Sequence, residues 1–104
     1  MKSQPYLRQG RPYDFNPQAI KSIPERCGVF ALFNEELCVR VGMASNLRRR
    51  ILKLCERPDD CVKQHWPTSV EIEVCTAFEV EKRWAMFKKS LVMQKIYPVC
   101  GLEA

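Results

Sequence analysis

Five cations stand close together between residues 40 and 54, in the stretch "RVGMASNLRRRILKL": Arg40, Arg48, Arg49, Arg50 and Lys53. Arg57 follows, and Glu56 is the single acid of the segment. Guanidinium groups at this density suit one chemistry, the gripping of phosphate or carboxylate oxygens by paired N–H donors. A second group, Lys82, Arg83, Lys88, Lys89 and Lys95, crowds the last quarter of the chain. The formal net charge is +5. Clustered positive charge is what a phosphate backbone selects, and it is also the ordinary make-up of a solvated face.

The elements around these residues decide where they point. Gly42 marks a turn after the strand "LCVRVG". Ser45 or Asn46 can cap the helix that follows, by accepting from its first backbone N–H groups. Leu47, Ile51 and Leu54 recur at spacings of four and three and make one inward stripe. Arg50 lies three after Leu47 and four before Leu54, at the rim of that stripe. Arg49 and Lys53 point to solvent, and Arg48 lies to the other side. The free N–H groups of the helix start face the same turn. Turn, helix start and Arg50 thus form an anion-receptive corner, in which Arg50 either grips a phosphate or pairs with a strand glutamate, Glu71 or Glu73.

The rest of the chain reads as one small α/β (α+β) domain. Its 104 residues, 46% hydrophobic and 28% charged, fit a single core. Residues 1–23 are polar and carry Pro5, Pro12 and Pro17, which suggests an N-terminal arm with a short helical turn in "NPQAIKSI". A domain over 24–104 follows. "CGVFALF" is a buried strand, "NEE" a turn, and "LCVRVG" completes a hairpin. Pro58 ends the arginine helix, and "PDDCVKQHWPTS" reads as a loop. "VEIEVCTA" alternates Val70, Ile72 and Val74 against Glu71, Glu73 and Cys75, which predicts a third, half-exposed strand. A helix from Glu79 to about Tyr97 carries two apolar stripes. One is Val80, Trp84, Phe87 and Leu91; the other is Ala85, Met86, Val92, Met93 and Ile96. Two stripes predict burial on both sides, against the sheet and against the arm or a second copy in a homodimer.

No run of apolar residues is long enough to cross a membrane, and the first residues lack the apolar core of a signal peptide. A cytoplasmic protein with no membrane partner is expected. Its six cysteines, Cys27, Cys38, Cys55, Cys61, Cys75 and Cys100, show no C-x-x-C spacing. The expectation is therefore free thiols, with Cys38 and Cys75 as small core residues, and neither a disulfide framework nor a zinc site.

The stretch "IPERCGVFALFNEELCVRVGMASNLRRRIL" resembles the opening of a GIY-YIG nuclease domain. Gly28-Val29-Phe30 stands as G-I-Y and Arg40-Val41-Gly42 as Y-I-G. "SNLRRRI" and the closing "KIYPVCG" fit the family's pattern too, and the likeness covers about residues 24 to 101. It implies a small three-stranded antiparallel sheet flanked by helices. It also implies one-metal phosphodiester hydrolysis, with a tyrosine activating water, an arginine on the phosphate and a helix glutamate on Mg²⁺ or Mn²⁺. Carried over position by position, the arginine is Arg50. The two tyrosines are Phe30 and Arg40, Met43 stands where lysine is frequent, and the glutamate, nine residues before Pro98, is Lys89. An ammonium there repels a divalent cation.

Between Lys82 and Gly101 there is no Asp or Glu. Glu81 is the one substitute ligand, but it precedes Lys89 by eight residues, roughly 12 Å along a helix. The resemblance therefore implies a catalytically degenerate GIY-YIG-like domain that needs no cofactor. It would bind nucleic acid or another polyanion through Arg40, Arg48, Arg49, Arg50, Lys53 and Lys89. The alternatives are an active endonuclease with an altered metal site and a protein-interaction module. This expectation hangs on a cationic cleft at Arg50, and either an Arg50 side chain turned away from the Gly42 bend or an acid reaching into the cleft would overturn that cleft.

Overall fold

The computed structural model describes residues 12–103. The apolar runs found in the sequence pair as strands. β1 is Tyr13–Asp14, β2 Gly28–Asn34, β3 Leu37–Ala44, β4 Ser69–Val74 and β5 Leu102–Glu103. They form one sheet in the order β1-β4-β2-β3-β5. The central three, β4, β2 and β3, are antiparallel. β1 adds an antiparallel strand at one edge, and β5 runs parallel to β3 at the other. The fold is thus α+β with a five-stranded mixed sheet, not a three-stranded antiparallel one. Two-residue strands carry little periodic signal, so both edges escaped the sequence pattern.

β2 is buried on both faces, which explains its unbroken apolar run. One face packs under α1 (Pro17–Ile20) and α2 (Leu47–Glu56), with Phe30, Leu32, Val39, Ile72, Ile20, Leu47 and Ile51 in contact. The other packs under α4 (Val80–Met93), where Val29, Ala31, Phe33 and Val41 meet Trp84, Phe87 and Leu91. A register shift between Leu32 and Phe33 inserts one extra residue in β3. It turns Val39 into the first layer while Cys38 and Val41 face the second.

Several expectations are corrected here. From Tyr13 on, the supposed arm is built into the fold: β1 pairs with β4, and Phe15, Ile20 and Ile23 are buried. Residues 1–11 lie outside the described ones. The stretch read as a loop contains α3 (Asp60–Gln64), capped by the Asp59 carboxylate on the Val62 N–H. β4 is not half-exposed, because α4 covers Glu73, which accepts from Arg83 Nε at 2.7 Å and Nη2 at 3.1 Å.

α4 is also shorter than its pattern and buries one stripe only. Met86, Val92 and Met93 are exposed. Lys95 takes a left-handed φ of 59°, and Ile96 N–H returns to Leu91 O while Lys95 N–H returns to Val92 O. That closing motif ends the helix, and Ile96 then packs on the same cluster as Leu91.

Candidate functional site

α2 starts where its caps dictate. The Asn46 side chain accepts from the Arg49 N–H at 3.0 Å, and the Leu47 N–H donates to Arg26 O at 2.9 Å. Two of the donors expected to face an anion are therefore already used within the fold. Leu47, Ile51 and Leu54 are buried as their spacing predicts. That fixes Arg50 at the rim, above the end of β3.

A cleft of about 510 Å³ opens there, lined by Met43, Ala44, Ser45, Asn46, Arg49, Arg50, Lys53 and Glu103. Glu103 is the residue the sequence reading missed. β5 sets Glu103 beside Gly42, and its carboxylate accepts from Arg50 Nε and, at 2.8 Å, from Nη2. This is the two-bond fork that a guanidinium makes with carboxylate or phosphate. Glu103 raises the Arg50 pKa, by hydrogen bonding above all, against the lowering effect of burial. The cleft is therefore not a cluster of cations alone, and neither Glu71 nor Glu73 is the partner. Glu103 lies two residues beyond the stretch from Lys82 to Gly101 that holds no acid.

The glycine of "RVG" has a steric reason to be there. A Cβ on Gly42 would stand 2.7 Å from Glu103 Cγ and 2.7 Å from Phe30 Cζ. Phe30, at the first tyrosine position of the resemblance, is wholly buried. Gly28 is tighter still, with a Cβ meeting Glu73 O at 2.2 Å.

Arg40 lies beside this pair and is committed to the protein. Its Nε donates to Cys100 O at 3.1 Å, and its Nη1 lies 2.6 Å from Asp59 and 3.4 Å from Glu103. Asp59 is held below the usual carboxylate range, first by the Val62 N–H and then by Arg40. Cys100 is disulfide-bonded to Cys61, which the expectation of free thiols did not foresee. Cys38 and Cys75 are buried as expected, and burial, aided by Glu71, pushes the Cys38 thiol up to about 12.

The other cations divide cleanly. Arg48 donates to Ile23 O at 2.8 Å and to Glu25 at 2.9 Å, so it clamps α2 onto the segment before β2. Arg49, Lys53 and Arg57 are exposed. Lys89 is exposed on α4, against the opposite face of the sheet, and takes no part in the Arg50 cleft. The second apolar stripe gives Lys89 no buried surroundings, because Ala85, Met86, Val92 and Met93 face solvent. Glu81 lines a neighbouring hollow of about 360 Å³ that shares Met43, Ala44 and Ser45 with the cleft.

Among the described residues no three His, Cys, Asp or Glu come together as a cation site. Glu103 is engaged by two arginines, and Phe30 has no hydroxyl. No family model, curated protein or solved structure matches the chain. No described helix is long and apolar enough to cross a membrane.

Proposed function

We propose that this chain is a GIY-YIG-like domain that has lost the family's metal chemistry and binds the backbone of a nucleic acid. The outer face of α2 is the contact surface. Arg49 and Lys53 lie one helical turn apart on that face, exposed and without an acid partner among the described residues. They border a cleft in which Arg50 already holds a carboxylate in the geometry it would offer a phosphate. That juxtaposition is the observation that carries the reading. Arg40 and Arg48 serve the fold instead, since each is tied to backbone oxygen and to an acid.

Fluorescence anisotropy with labelled DNA and RNA oligonucleotides, repeated across a salt series, tests this. Phosphate contacts release counterions, so affinity should fall steeply as salt rises. Binding that is absent, or indifferent to salt, contradicts the reading.

One observation favours a second reading. Glu81 opens toward the wall that the Arg50 cleft shares, so an endonuclease using Glu81 with Mg²⁺ or Mn²⁺ has one carboxylate in the vicinity. Plasmid nicking by wild type but not by Glu81→Gln or Arg50→Ala would support it. Equal background in all three would end it. The exposed Met86, Val92 and Met93 leave the homodimer as a further proposal, and a strictly monomeric mass by light scattering would remove it.

A further inference from the structure

The segment from Pro98 to Glu103 lies across the Arg50 corner as a strap. Its own hold is thin. Val99 and Leu102 are 44% and 51% exposed, so it buries little apolar surface. Its backbone donates from Val99 to Cys38 O and from Cys100 to Val39 O, and Gly101 O accepts from Val41 at a long 3.4 Å. Further ties are the pairing of β5 with β3, the Arg40 Nε donating to Cys100 O, the Glu103 carboxylate on Arg50 and Arg40, and the covalent bond from Cys100 to Cys61. Both sulfur-bearing residues are half-buried, within reach of a small thiol.

We propose that this strap is an internal inhibitor of the Arg50 corner and that the Cys61–Cys100 disulfide is its latch. In the latched state the Glu103 carboxylate occupies the two donors that a phosphate would use. The latch keeps that carboxylate at an effective concentration of at least millimolar order, so a lone phosphate in dilute solution cannot displace it. A dithiol opens the latch. One of its thiolates attacks a protein sulfur and forms a mixed disulfide, and the other cysteine leaves as a thiolate and is protonated. The second thiolate of the reductant then closes its own disulfide and releases the second cysteine. Two electrons pass from the dithiol to the protein, which ends with two thiols. The strap is then held by its few hydrogen bonds and one ion cluster, and a phosphate can exchange for Glu103.

The inference rests on the nucleic-acid reading above, and the same experiment separates the two. Anisotropy of a labelled single-stranded oligodeoxynucleotide is measured with the full chain oxidised, and again after reduction by dithiothreitol. Glu103→Gln with its disulfide intact and Cys61→Ser/Cys100→Ser are measured alongside, with circular dichroism confirming that each is folded. Reduction should tighten wild-type binding about tenfold, the size of one charge-assisted contact. Glu103→Gln should bind as tightly as reduced wild type even when oxidised. If the double serine variant folds, it should match them and ignore the reductant. Equal affinity for oxidised wild type, reduced wild type and oxidised Glu103→Gln overturns the latch while leaving the α2 face standing. No binding by any preparation overturns the nucleic-acid reading itself, and the latch with it.

Discussion

The Glu103 carboxylate accepts a forked pair of hydrogen bonds from the Arg50 guanidinium, between residues 53 positions apart in the chain. Arg50 is positioned by the apolar stripe of α2, and Glu103 by a two-residue strand on β3. The corner is thus able to hold an oxyanion and holds one of its own. This relationship separates the arginines of the cluster into those that build the fold and those that face outward, and each group makes its own prediction.

Arg48 belongs to the fold. Arg48→Ala removes the bonds to Ile23 O and Glu25, and thermal melting should show a loss of about 1 kcal/mol, the scale of a part-exposed charged hydrogen bond. Its oligonucleotide affinity should stay within about twofold of wild type, a difference well under 1.4 kcal/mol. A large fall in affinity without a fall in stability would place Arg48 on the binding face.

The two motif glycines should differ in their tolerance. A Cβ at Gly28 meets the backbone oxygen of Glu73, which cannot swing aside. A Cβ at Gly42 meets the Glu103 side chain and the edge of Phe30. Gly42→Ala should therefore cost about 1–3 kcal/mol, as overpacking does, and Gly28→Ala more. Denaturant midpoints read the order directly, and the reverse order would contradict this packing.

Glu73 is only 5% exposed and carries a forked pair of bonds from Arg83. Arg83→Ala removes the forked pair from a buried carboxylate and should cost about 3 kcal/mol. Glu73→Leu with Arg83→Leu should recover part of that loss, since the charge is removed with its partner. Urea titration of the three chains measures it. A loss within the ~1 kcal/mol typical of surface pairs would show that the carboxylate is screened.

Acid should act through Asp59. Its pKa is lowered in the fold by the Val62 N–H and by Arg40. A depressed carboxylate stabilises the fold above its unfolded value, ~3.9, and that contribution is lost as pH falls through the lower folded value. Asp59→Asn keeps an oxygen for the helix cap and removes the charge. Its melting temperature should lie below wild type at neutral pH, and the gap should close as pH drops below ~3.9. A gap that is constant with pH would deny the charge any part.

The sequence carried the long elements and the rim position of Arg50, because β2, β3, β4 and α2 each hold several residues in phase. It did not carry β1 and β5, where two residues cannot express a period. It did not carry the Cys61–Cys100 bond either, since the two cysteines stand 39 positions apart and meet only through the strap. The likeness to nuclease motifs drew Lys89 into the cleft by counting back from Pro98. The burial of Trp84, Phe87 and Leu91 instead turns Lys89 to solvent on the far side of the sheet. Glu103 was visible as a letter, but nothing local in "CGLEA" says that it returns to Arg50.

The most direct test compares the salt dependence of duplex DNA binding for wild type and Arg49→Ala/Lys53→Ala. If these two side chains meet phosphates, the slope of log affinity against log salt should flatten by about 0.9 for each, roughly 2 in all. An unchanged slope, with both proteins folded and binding, would place the nucleic acid on some surface other than the outer face of α2.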